Sequence, residues 1–501
     1  MTTLEKPKQP LWLKLLVWLP VFLFGLFAAC GYSATNLPDL GEASRDVLPQ
    51  QEEQRLGNEI MREIRQKERS YINDTPSTDY LNAMGRHLSK ALDNQSKQQF
   101  RFFLLNDSSI NAFALPGGYI GVHTGLIFAA ENESELAGVL AHEISHVTQH
   151  HIARGIDSQK GSYATILASM ALAIIAMRNN PEIAQGALIA GQAGAISQQL
   201  SYSRRFEHEA DRIGLQLLTR AGYDPQGMES FFKRLQRHVR VYENSTTPSY
   251  LMTHPLTSER ISDINNRLLE IESPSKLVND QEGFLLVRSR LRALYSSITE
   301  ALEYFRPRAT SGQQELSGQL QQARTYGWAL VLFRQNKFSE AAKQLEKMSR
   351  FNYQSPLPLL LKAKIKQKLG KHADSLANLQ AAHQQYPRSR AITHALADAW
   401  LAIPQQSETA LKFISEDIRS NPNDYLMRHK QAKANAMLGK RFQQHWAQGE
   451  AYALQGLLPL AIEQMELALK SPDGNYYQQA QVDVRLKALK KEYRQLRQDT
   501  R

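Results

Sequence analysis

The stretch Glu135-Leu-Ala-Gly-Val-Leu-Ala-His142-Glu143-Ile-Ser-His146-Val147 decides how this chain is read. Leu136, Val139, Leu140 and Val147 recur with the helical period. Asn132 with Glu135 three residues on marks a helix start, and Gly155 marks a stop. On that helix His142 and His146 lie one turn apart on one face, so both imidazoles can converge on a single cation. Glu143 is rotated beside them, placed to reach a metal-bound water rather than the metal. Five residues also fit a plain helix with a polar face. A third ligand and a wall for substrate elsewhere in the chain would separate the two readings.

The third ligand lies beyond His146. A Gly at 149 and a His at 152 would extend the motif, but the chain has Gln149 and Ile152, which excludes that class. His150 and His151 fall one further turn along and read as solvated residues near the helix end. The segment Arg205-Phe-Glu207-His208-Glu209-Ala210-Asp211-Arg-Ile-Gly214 offers more. Glu207, Ala210, Asp211, Gly214 and Leu218 share one helical face. Two carboxylates on an inner face are costly unless a cation or donor compensates them. A metal would compensate Glu207, and Asp211 one turn on can accept the second ring N–H of a ligand histidine. Gly214 would let two helices approach closely. His208 and Glu209 point elsewhere, toward solvent.

Upstream, Phe100-Arg-Phe-Phe-Leu-Leu105 reads as a strand and Pro116-Gly117-Gly118 as a turn. Tyr119, Gly121 and His123 alternate with Ile120 and Val122, a strand with one buried face whose free edge can pair with an extended peptide. Between the two metal segments, residues 161–177 are uncharged but shorter than a bilayer span. A buried helix is the plainer account of them, and a lid or membrane-facing helix over the cleft the sharper one.

Together, H-E-x-x-H, Glu207-x-x-Ala-Asp211, Asn111-Ala-Phe-x-x-Pro-Gly-Gly118 and His254-Pro…Arg260 resemble the HtpX and CAAX-prenyl-protease type of zinc metallopeptidase. The resemblance implies a zincin-like α+β domain. It implies one Zn2+ held by His142, His146 and Glu207, Glu143 as the base, and Asp211 in support. His254 and Arg260 are then candidates to stabilise the oxyanion, and His254 could instead close the fourth metal position until substrate displaces it.

From about residue 310 onward the pattern is helical with a period near 34. Turn positions align at Asn336, Gly370, Pro404 and Gly439, and small residues recur around them, as in tetratricopeptide repeats. Residues 485–501 read as a solvated basic tail. The fold class expected is therefore α+β, mainly α: a peptidase domain over 54–300 and an all-α repeat domain over 310–501. Such repeats make concave surfaces for protein partners and carry no chemistry here.

The first fifty residues begin with Lys6 and Lys8, then run apolar from Leu11 to Cys30 apart from Lys14. Residues 1–34 read as an export signal or anchor, and 35–53 as a linker. Cleavage to a soluble protein, lipidation at Cys30 and an uncleaved anchor all remain open. Each places the rest of the chain outside the cytoplasm. Cys30 is the only cysteine of the 501 residues, so no intrachain disulfide forms. The net charge of +11 comes with no nucleic-acid motif and reads as a solvated surface. Exported peptidases of this type with repeats imply a periplasmic protein. Its partners would be stalled or unfolded outer-membrane proteins and the β-barrel assembly machinery. The rival readings are a non-catalytic repeat scaffold and a general periplasmic peptidase.

Overall fold

The computed structural model describes residues 48–92, 98–157, 204–241, 250–251, 254–271, 277–278, 281–307, 318–350 and 354–499. The expected signal or anchor and the apolar 161–177 segment lie outside the described residues. Among the described residues no helix is long and apolar enough to cross a membrane.

Helix α1 (Gln50–Lys67) is followed by β1 (Tyr71–Ile72), α2 (Thr75–Ser89), β2 (Arg101–Leu105), β3 (Ala112–Leu115) and β4 (Tyr119–His123). Next come α3 (Thr124–Ala129), α4 (Glu133–Thr148), α5 (His151–Asp157), α6 (Arg204–Arg220), α7 (Gln226–Val241), α8 (Ser258–Glu270), α9 (Gln281–Tyr295) and α10 (Ile298–Phe305). The result is an α+β fold, mainly α, as the pattern implies.

The small sheet has the order β1-β2-β4-β3. β2 runs parallel to β4, and β3 runs antiparallel to it with Phe113 opposite Gly121. This corrects the strand reading. The 119–123 strand is interior, paired on both sides, and all five of its residues are buried. The edge is β3 instead. Gly117 and Gly118 take φ of +75° and +77°, which folds the chain back and lays β3 along β4. A Cβ on Gly121 would meet the Phe113 and Phe103 rings at 2.4 and 2.8 Å. The aromatic residues that make these segments read as strands therefore close over the backbone of β4.

The metal helix α4 packs against β3, α2, α6 and α7. Asn132 caps it, its side chain accepting from the Glu135 amide at 2.9 Å. Leu136, Val139, Leu140 and Ile144 are fully buried, and each such side chain contributes about 1.5–3 kcal/mol. The helix stops at Thr148, earlier than Gly155. His150 takes φ +51°, in the left-handed region, and turns the chain into α5, which contains Gly155.

Ten further helices follow: α11 (Gly318–Arg334), α12 (Phe338–Glu346), α13 (Leu357–Lys368), α14 (His372–Gln385), α15 (Arg390–Leu401), α16 (Ser407–Ser420), α17 (Tyr425–Met437), α18 (Arg441–Leu454), α19 (Leu458–Lys470) and α20 (Tyr476–Asp499). Asn336, Gly370 and Gly439 take positive φ at the turns between paired helices, and Pro404 opens a short 3-10 turn. Ala329, Ala363, Ala397, Ala434 and Ala461 are buried where helices meet. The terminal segment is not simply a solvated tail. Leu486 and Leu489 are buried with Phe442 and Met465, and Arg485 bridges Glu450 at 3.1 Å, so α20 covers the last repeat.

One apolar core runs from Ile72 through Leu140, Phe284 and Tyr326 to Leu396 and Met427, so the repeats pack directly on the sheet-bearing half. Beside this junction buried Arg290 pairs with Asp74 at 2.6 Å within the sheet-bearing half, and across it the Ala391 amide donates to Asp79 at 2.9 Å. A cavity of about 250 Å³ opens there, lined by Arg290, Lys364, His394, Asp398 and Lys430 among others.

Candidate active site

Three elements bring the site together. α4 supplies His142, Glu143 and His146, α6 supplies Glu207 and Asp211, and the turn before α8 supplies His254. α6 approaches α4 at Gly214, where an added Cβ would stand 3.1 Å from the His142 backbone. That close approach carries Glu207 onto the two imidazoles.

One donor atom from each of His142, His146, Glu207 and His254 lies within 4.8 Å of the others, all four residues being buried. His142 Nε2 and His146 Nε2 are 3.0 Å apart. Glu207 places Oε2 3.5 Å from His142 Nε2 and Oε1 3.5 Å from His146 Nε2. His254 Nδ1 is 3.4 Å from His142 Nε2 and 3.1 Å from Glu207 Oε1. Buried imidazole nitrogens and a carboxylate facing one another are a donor set for a metal ion.

Around this set the charges are clamped. Asp211 Oδ1 lies 3.0 Å from His142 Nδ1. Arg260 donates to Asp211 from Nε at 2.6 Å and Nη2 at 2.7 Å, to the Pro255 carbonyl at 2.8 Å, and pairs with Glu207 at 2.9 Å. Its guanidinium lies 5.4 Å from the Phe232 ring centre. Arg260, a candidate oxyanion donor from the sequence, has its guanidinium engaged by two carboxylates. Glu143 is fully buried, and neither carboxylate oxygen has a hydrogen-bond partner among the described residues. His254 Nε2 stands 3.6 Å from Glu143 Oε1, and the His254 ring stacks on Tyr250 at 4.7 Å.

Burial pushes the Glu143 carboxyl up, partly offset by the charges of His254 and His142. Burial lowers His142, but Asp211 and Glu207 outweigh it and hold that ring at about 9. Burial dominates at His146 and drives it well below the usual histidine value. Glu207 and Asp211 would be raised by burial, yet end low because histidines around the first and Arg260 beside the second favour the charged form.

Two expectations fail here. His151 is fully buried, with Nδ1 2.8 Å from His146 Nδ1. Glu209 is half-buried and accepts at 3.2 Å from His151 Nε2 and 3.0 Å from Arg154 Nη1. The cause is the turn at His150, which swings residue 151 back toward the site. Helical periodicity does not reveal it, because a left-handed histidine is uncommon. His208 is half-buried as well, not fully solvent-facing.

The profile of Peptidase family M48 matches residues 76–268, a span that contains every site residue above. Over 470 residues the chain is 32% identical to the beta-barrel assembly-enhancing protease of Escherichia coli, covering 91% of this chain and 92% of that one. The protein of the same description from Yersinia pestis is 32% identical over 455 residues, with the same shares. A mitochondrial metalloendopeptidase of Arabidopsis thaliana is 27% identical over 230 residues, 46% of this chain and 44% of that one.

Proposed function

From the premise that this chain belongs to peptidase family M48, in its beta-barrel assembly-enhancing branch, and is a metalloprotease, we propose that His142, His146 and Glu207 hold one zinc ion and that Glu143 is the base of peptide hydrolysis. The observation that carries this is the convergence of four buried donor atoms to within 4.8 Å. Tetrahedral ligands about 2.0–2.1 Å from zinc stand about 3.3–3.4 Å from one another. Five of the contacts among these groups, taking either Glu207 oxygen, run from 3.0 to 3.5 Å, and the whole set stays within 4.8 Å, which supports the fit.

Bound there, zinc lowers the pKa of a coordinated water toward about 7 and polarises the scissile carbonyl. Glu143 accepts the proton of the attacking water on its carboxylate and passes it to the leaving amine. Its raised proton affinity and unengaged oxygens suit both steps. Asp211 orients His142 through Nδ1, and Arg260 keeps Asp211 and Glu207 ionised in a buried site. His254 Nδ1 would close the donor set at rest, and its displacement would free a position for water and the substrate carbonyl. Of the two roles the sequence left open for His254, its placement among the ligands favours this one. β3, the sheet edge beside α4, offers its backbone to an extended peptide.

In this reading, 54–300 is the peptidase unit and 310–501 the docking unit of a Gram-negative periplasmic protein. The protein promotes assembly of outer-membrane β-barrel proteins and degrades those that stall. The name of the Escherichia coli relative and the run of paired helices from Gly318 onward support it. Metal analysis of the purified chain and casein cleavage by wild type and Glu143→Gln test the chemistry. One zinc in both and cleavage only in wild type is the expected outcome, and equal cleavage removes it. Co-purification with outer-membrane assembly components tests the docking role, and its absence leaves a general peptidase.

A further inference from the structure

The two histidines of α4 have their outward nitrogens held in different ways. His142 Nδ1 faces Asp211 directly, and Arg260 clamps Asp211. His146 Nδ1 faces another imidazole, that of His151, at 2.8 Å. His151 Nε2 then lies 3.2 Å from Glu209 Oε2, and Arg154 Nη1 donates to that same oxygen at 3.0 Å. Both arms therefore end in a carboxylate held by an arginine, but the second has a histidine inserted.

The directions of the hydrogen bonds follow from one fixed point. The Glu209 oxygen that Arg154 occupies acts as an acceptor, so the His151 proton sits on Nε2. In the neutral ring His151 Nδ1 is then a lone pair and accepts, which places the His146 proton on Nδ1. His146 Nε2 is left as a lone pair, aimed at the cluster with His142 and Glu207. The backbone supports the arrangement. On an uninterrupted helix a residue five places on is rotated by about 140° from His146. His150 adopts φ +51°, and the chain turns so that His151 comes beside His146. His151 is fully buried and stacks on Phe206 at 4.5 Å with 13° between the rings, which fixes its plane.

We propose that His151 and Glu209 form a positioning relay that sets the tautomer and orientation of His146, so that its Nε2 lone pair meets the metal ion. This rests on the metal site proposed above. Outer partners of this kind are worth about 10–100-fold in metal affinity.

The test compares wild type, His151→Leu, His151→Gln and Glu209→Ala as full chains. Three quantities are read: zinc affinity by competition with a chromophoric chelator, the visible spectrum of the Co2+-substituted protein, and the melting temperature of the metal-free protein. His151→Leu should lose about 10–100-fold in zinc affinity and shift the Co2+ bands. Its metal-free melting temperature should move by less than about 4 °C. His151→Gln keeps an acceptor and a donor and should recover most of the affinity. Glu209→Ala, at a half-buried position, should lose about tenfold and carries the test if His151→Leu does not fold. Wild-type affinity with an unchanged Co2+ spectrum in His151→Leu and Glu209→Ala overturns the relay. So does a loss that merely follows the metal-free melting temperature without rescue by Gln. A wild-type chain that binds no zinc defeats the metal site itself, a separate outcome.

Discussion

Asp211 Oδ1 stands 3.0 Å from His142 Nδ1, and both are buried. Asp211→Asn keeps the shape and removes the charge that orients the ring. It should weaken metal binding by about 10–100-fold, measured by zinc titration of the metal-free protein. Unchanged affinity would mean that Asp211 serves Arg260 alone.

Arg260→Met should destabilise the protein by about 3–5 kcal/mol in urea unfolding, because Asp211 and Glu207 would stay buried without their common cation. A variant of wild-type stability whose kcat alone falls would return Arg260 to the role of oxyanion donor.

Gly214→Val tests the helix approach that assembles the ligands. Its Cβ would press on the His142 backbone at 3.1 Å and push α6 from α4. Zinc binding should fall by more than tenfold, with an overpacking cost of about 1–3 kcal/mol. Wild-type zinc affinity would show that the helices can part without separating the donors.

Chelation with EDTA should abolish proteolysis, and zinc should restore it. Zinc at about 1,000 times its Kd should also stabilise the protein by about 4 kcal/mol, read as a rise in melting temperature. The Glu143→Gln protein should show the same rise, because Glu143 is not a ligand in this reading.

The buried Asp74–Arg290 pair beneath the repeats should be sensitive to acid. Burial would raise the Asp74 carboxyl, but Arg290 outweighs it and holds the group below its ordinary value. A depressed carboxyl contributes fully above its unfolded value of about 3.9, and the contribution is lost as pH falls through the folded value. Asp74 also caps α2 through the Ser77 amide, a role Asn fills equally well. Asp74→Asn should therefore be less stable than wild type at pH 6, and the gap should narrow below about pH 4. Urea unfolding across pH 3–6 measures this, and a constant gap would exclude the linkage.

The residues of this site were legible because their spacing is local. Histidines four apart on a helix share a face whatever surrounds them, and Glu207 with Asp211 repeats that geometry on a second helix. Gly214 was legible for the same reason. The repeats were legible because their period recurs, with turn residues at Asn336, Gly370 and Gly439 that tolerate positive φ. Strand pairing was misread. A five-residue stretch such as Tyr119 to His123 fits an edge or an interior strand equally, and only the fold of β3 onto β4 makes it interior.

Chain order, local periodicity and the motif resemblance pointed to His142, His146 and Glu207 as candidate donors, to Glu143 as candidate base, and to the helical stack behind them. Which groups hold those donors in place was settled by contacts between distant segments. Arg260 is engaged by Asp211 and Glu207, contacts between distant segments that no spacing in the sequence records. His151 entered the site through one left-handed residue, His150. A single change of φ reverses which way the following side chains point, and no periodic pattern records it.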